Sequence, residues 1–276
     1  MSYLGQCYSG GCRGSYSSLE SRMGGVYMSM SRMSSQLEYM PSSSFSSPSQ
    51  VYLSEILDEK PSSSSYHAYA SASYLPSGHI IFNPGQFLDP RRELLPLVSN
   101  LDEIEPLVEE AMFATTGMSM PEDIVIRICD PEEFQQAFPE PERCSDAIRG
   151  FCMNNRGFGK SHIFIRRGDK AEVLLTIGHE IGHALSFPLQ LHDEEAKAFA
   201  FSVAWMEQIK KRDIGGLGRS IRLGAPAENG LHNAALKFVV SLVEAGKDAL
   251  AVFKGLISGE FSLSKKRQLE SLITFT

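Results

Sequence analysis

The segment Thr176-Ile177-Gly178-His179-Glu180-Ile181-Gly182-His183-Ala184-Leu185 contains His-Glu-x-x-His. On a helix, histidines four residues apart lie one above the other on the same face. Two imidazoles so placed can bind a single Zn²⁺ at about 2.0–2.1 Å. The glutamate after the first histidine is not a ligand in such an arrangement. It takes a proton from the metal-activated water and later passes it to a leaving amine. The pattern therefore points to zinc-dependent hydrolysis of peptide bonds, with His179 and His183 as metal ligands and Glu180 as general base.

This chemistry requires a helix, and the flanking residues predict one. Asp169 and Glu172 have the spacing of a capping box, and Pro188 forbids continuation. Leu174, Ile177, Ile181, Ala184 and Leu185 form an apolar stripe, with both histidines on another face beside Glu172 and Thr176. Gly178 and Gly182 each cost a helix about 1 kcal/mol, so their presence predicts a second backbone passing close by.

A catalytic zinc takes a third protein ligand. Phe187 and Pro188 interrupt any tight continuation to a third histidine. The next polar cluster is His192-Asp193-Glu194-Glu195, opening a helix expected over Glu194–Lys211. Phe199, Val203, Trp205, Met206 and Ile209 mark the buried side of that helix. Glu195 falls near its middle, Glu194 at its edge, and Asp193 opposite, with Lys197 and Gln208. A carboxylate on an apolar face is costly unless paired or bound to metal. The order of candidates is Glu195, then Glu194, then Asp193. Charge favourable to a helix N-terminus accounts for any that do not ligate.

The HEIGHAL motif followed by an acidic helix start and AKAFAF resembles the gluzincin metallopeptidases, particularly the compact archaeal minigluzincins. The resemblance covers roughly Ser161–Met206. DEEAKAFA also looks like the Glu-x-x-Ala-Asp/Asn-x-Phe-Ala pattern of the CAAX-protease-like and repressor-cleaving branches. That alignment would place Asp193 at the ligand position and Lys197 where Asp or Asn is usual, a departure from the pattern. The resemblance implies a zincin-like α+β fold, with a mixed sheet and backing helix ahead of the active-site helix. It also implies an edge strand, assigned to Ser161–Arg166, that pairs with extended substrate.

The elements around the motif fit that order. His79–Asn83, Asp123–Cys129, Phe151–Asn154 and Ser161–Arg166 read as strands, and Leu101–Thr116 and Pro131–Phe138 as helices. A break at Gly215–Gly218 precedes helices over about Asn229–Ala245, Lys247–Ile257 and Leu263–Leu272. A mixed αβ half followed by a helical C-terminal lobe suggests two lobes with a cleft between them. Within the second half, His232 is a candidate for stabilising an oxyanion. A partly exposed histidine near a helix start is the plainer reading.

Residues 1–77 differ in character, being rich in Ser, Tyr, Met and Gly and poor in large aliphatics. They read as a disordered tail or a propeptide, ahead of a metallopeptidase domain over 78–276. A thiolate from Cys7 or Cys12 could reach the fourth zinc position and hold a latent, zymogen-like state. Five cysteines in 276 residues build no disulfide or metal framework. The net charge of −7 argues against a nucleic-acid partner, and the apolar runs are too short for a membrane span. Without a secretory leader pattern, the expected location is cytoplasmic. The expected partner is a peptide or protein substrate. The alternatives are a regulatory protease specific for one partner and a non-catalytic zinc-containing binding protein.

Overall fold

The computed structural model describes residues 82–223 and 230–266, with the side chains of 230–233 excepted. Residues 1–81, and with them the expected tail, Cys7 and Cys12, lie outside the described residues. So does the side chain of His232.

Among the described residues, five strands and six α-helices run in the order β1 (Leu97–Val98), α1 (Glu105–Thr116), β2 (Ile124–Cys129), α2 (Pro131–Ala137), β3 (Gly150–Met153), β4 (Ser161–Arg166), β5 (Gly168–Asp169), α3 (Lys170–Ala184), α4 (Leu191–Arg212), α5 (Gly230–Glu244) and α6 (Ala249–Ile257). Residues 263–266 begin a further helical turn. The architecture is α+β with a small mixed sheet, as the sequence leads one to expect.

Local chemistry sets most of the boundaries. Asp130 and Glu133 form a reciprocal capping box, and Pro131 opens α2. Gly117, with φ 77°, closes α1 in the left-handed conformation. Phe82 and Asn83 form no strand, contrary to expectation. Asn83 instead caps a 3-10 turn at Pro84–Phe87.

The main sheet has the order β2-β4-β3. β2 runs parallel to β4 and β3 antiparallel to it. Ser161–Arg166 is therefore the central strand, and the edge-strand assignment made from sequence is corrected: the edge beside the motif helix is β3. Both runs read as strands in sequence, so only the pairing order could separate them. Ile163, Ile165 and Cys152 face the core beneath α3. Phe151 and Phe164 face the opposite way, into a smaller cluster with Phe134 and Phe138 of the α2 region.

One apolar core runs from this sheet through α3 and α4 to Val239 of α5 and to Val252 and Phe253 of α6. The two halves share that core, so the expected division into two lobes is not what forms. The long helix α4 is the reason: α1, α3, α5 and α6 all pack against it. Its burial thus extends well beyond one stripe, and even Lys197 is enclosed.

Candidate metal centre

Helix α3 begins at Asp169, whose carboxylate accepts from the Ala171 and Glu172 N–H groups. The Glu172 side chain does not return the bond, so no full capping box forms. Instead Arg92 lies 3.0 Å from Asp169 and 3.6 Å from Glu172. The helix ends at Ala184, before Pro188 is reached.

The two glycines behave as their cost implies. A Cβ on Gly182 would lie 2.9 Å from Ala198 Cα and 3.0 Å from Phe201 Cβ. One on Gly178 would lie 2.4 Å from the Trp205 ring. At Gly182 the backbone of α4 is the obstacle, whereas at Gly178 it is an indole. That indole donates from Nε1 to the Leu174 carbonyl at 3.1 Å, locking the helix pair.

This contact brings His179 and His183 against the start of α4. The two histidines and Glu195 are all buried, and each offers a ligand atom within 4.8 Å of the others. His179 Nε2 is 3.9 Å from Glu195 Oε2, and His183 Nε2 is 3.8 Å from Glu195 Oε1. Two ligands sharing a tetrahedral ion at about 2.0–2.1 Å stand roughly 3.4 Å apart. The two separations, each to a different oxygen of Glu195, are about 0.4–0.5 Å longer than that figure.

The rest of the shell aims the imidazoles. Ser202 Oγ donates to the Ala198 carbonyl at 2.8 Å, leaving a lone pair to accept from His179 Nδ1 at 3.0 Å. The proton of His179 thus belongs on Nδ1, and Nε2 presents its lone pair toward Glu195. Phe82 stacks on the His179 ring at 4.3 Å, and Phe199 meets it edgewise at 5.0 Å. His183 Nδ1 faces Glu194 Oε1 at 2.9 Å, which turns its Nε2 to the same point.

Glu194, ranked second as a ligand, is therefore placed behind His183 and not with the cluster. Its other oxygen accepts from Leu189 N–H at 2.7 Å and from Lys197 Nζ at 3.0 Å. Asp193, ranked third, faces away and caps the segment after α6, accepting from the Leu263 and Ser264 N–H groups and the Ser262 hydroxyl. Sequence phase put Lys197 on the solvent side with Asp193. It is fully enclosed, reaching Ser186 Oγ at 3.1 Å and the His183 carbonyl at 3.3 Å. The missed signal is an amphipathic helix buried on several sides, where phase alone no longer separates inside from outside.

Glu180 is buried beneath the edge strand. A Cβ on Gly150 of β3 would lie 3.1 Å from Glu180 Cγ and 2.7 Å from Thr176 Cγ2. Burial raises the Glu180 pKa to about 7; the His183 charge works against this and the Glu195 charge adds to it. A carboxylate poised near neutrality suits proton transfer in both directions. Burial pushes the His183 pKa down, but the Glu194 hydrogen bond and the surrounding carboxylates outweigh it, and the net shift is upward. For Glu194 burial is likewise outweighed, chiefly by Lys197 and His183, and its pKa is lowered.

Asn154, just after β3, joins strand to helix. Its Nδ2 donates to the His183 carbonyl at 2.7 Å and to the Ser186 carbonyl at 2.8 Å. The His183 carbonyl is among those a helix C-terminus leaves without an intrahelical partner, and Ser186 follows just beyond the helix end.

Compared with known protein families, with curated proteins and with solved structures, the chain matches none. Among the described residues, no helix is long and apolar enough to cross a membrane.

Proposed function

We propose that this protein is a zinc-dependent peptidase of gluzincin type, with the metal held by His179, His183 and Glu195. The observation that carries this reading is the convergence of both Nε2 atoms on the Glu195 carboxylate, with both Nδ1 atoms engaged behind them. Two neutral imidazoles and one carboxylate are the donor set of a catalytic zinc, which keeps a further position open. The zinc, when bound, would polarise the scissile carbonyl and acidify water.

The chain's own residues do the remaining work. Glu180 accepts the proton of the attacking water on its carboxylate and then delivers it to the departing amine nitrogen. The low polarity around Glu180 makes the protonated form accessible at neutral pH. Ser202 and Glu194 hold the imidazoles in the tautomer that keeps Nε2 available. The outer edge of β3, running over Glu180, is suited to pair with an extended peptide by backbone hydrogen bonds. Asn154 fixes that strand to the helix end, so peptide and base keep their relative position.

The presence of a glutamate at the base position favours catalysis over a purely structural zinc site. Glu180→Gln is expected to retain zinc and to lose peptidase activity by on the order of 10²–10⁴-fold, measured on a mixed-peptide or casein substrate. Full activity in that variant would refute the assigned role.

A further inference from the structure

Two adjacent glutamates, Glu194 and Glu195, are both buried beside the histidine pair, and only one of them faces the Nε2 atoms. We propose that Lys197 decides which of the two becomes the metal ligand, by holding Glu194 against the far side of His183. This rests on the metal-centre reading above.

The geometry assigns every donor in the arrangement. Glu194 Oε1 is taken by His183 Nδ1 at 2.9 Å, and Oε2 by Lys197 Nζ at 3.0 Å and Leu189 N–H at 2.7 Å. An ionised carboxylate only accepts, so three donors leave it little freedom to turn toward a cation. Lys197 in turn is held by Ser186 Oγ at 3.1 Å, the His183 carbonyl at 3.3 Å and the Phe187 carbonyl at 3.5 Å. Its ammonium is therefore fixed by the end of α3, the same turn that carries His183. A lysine is almost never fully buried without a partner, and an apolar side chain of similar length would fill the same space. What an apolar residue would not do is neutralise Glu194. Without that neutralisation, a second buried carboxylate would be drawn to the cation and would release His183 Nδ1.

Lys197 is thus a positioning residue that acts through Glu194. The test loads the full-length protein with Co²⁺ and reads affinity by competition and coordination by the visible absorption bands. Lys197→Met is expected to weaken Co²⁺ binding by roughly 10–100-fold and to alter the band pattern. The double variant Lys197→Met/Glu194→Gln removes the stray charge, and is expected to regain the wild-type bands and most of the affinity. Wild-type bands and affinity in Lys197→Met would overturn the proposal, as would a double variant showing the sum of the single losses. If Lys197→Met does not fold, the comparison is between Glu194→Gln and the double variant. Equal Co²⁺ affinity is then expected, and a further loss on adding Lys197→Met would overturn the proposal. A wild type that takes up no Co²⁺ overturns the metal-centre reading and this proposal with it. A wild type that binds Co²⁺ beside an indifferent Lys197→Met overturns this proposal alone.

Discussion

Glu180 carries a consequence that needs no substrate to observe. Its folded pKa of about 7 lies above the 4.5 of an ordinary glutamate, so between those values the folded chain binds more protons than the unfolded one. The contribution to stability is fully present below about pH 4.5 and is lost as pH rises through about 7. In chelator-treated protein, Glu180→Gln removes this dependence. The stability of the variant relative to wild type should therefore rise from pH 5 to pH 8, by a few kcal/mol in denaturant titrations. A difference that stays flat over that range would mean that Glu180 is not desolvated as described. His179, Glu180 and His183 were legible in the sequence because the spacing itself encodes the face. Glu195 was legible because an acidic residue stood in an apolar phase. Lys197 was not, since a lysine between two alanines reads as solvated until four other helices are known to pack against α4.

The helices and the three strands of the main sheet were found with errors mostly at their ends, because turn chemistry marks them, whereas Phe82 and Asn83 were expected in a strand that does not form there and the two-residue strands β1 and β5 were not foreseen. Ser161–Arg166 was read as a strand with the boundaries it has. Its place in the sheet was not readable, because strand order depends on non-local pairing that leaves no trace in alternation. At this scale the glycines give the sharpest tests. Gly182→Ala must separate α3 from the α4 backbone, and should cost about 1–3 kcal/mol in thermal or denaturant unfolding despite alanine's better helix propensity. Gly168→Ala, where the nearest atoms would be 3.7 Å away, should be close to neutral and serves as the control. Gly150→Ala presses on Thr176 and on the Glu180 stem. Peptidase activity should fall at least tenfold, a shift of about 1.4 kcal/mol in the barrier, while zinc content stays unchanged. Wild-type activity in Gly150→Ala would place the base away from the edge strand.

Among the described residues the packing is organised around α4, which brings Glu195 beside His179 and His183 and offers a surface to α1, α3, α5 and α6. This is why a predicted pair of lobes resolves into a single core, since one long helix belongs to both halves. Asp193 extends the same logic by tying the segment at residues 262–264 to the start of that helix. Asp193→Ala should lower stability by about 0.5–2 kcal/mol, the usual range for a lost cap. It should leave metal content intact, because Asp193 faces away from the histidines. Loss of the metal in Asp193→Ala would instead make it the ligand that the looser motif alignment suggested.

Whether His179, His183 and Glu195 together hold a zinc ion is read by elemental analysis of purified wild type, His183→Ala and Glu195→Ala. A single zinc per chain is expected in the wild type, and its loss from both variants, each still folded by circular dichroism. Zinc-free wild type after preparation in zinc-containing buffer, or full zinc content in Glu195→Ala, would contradict it.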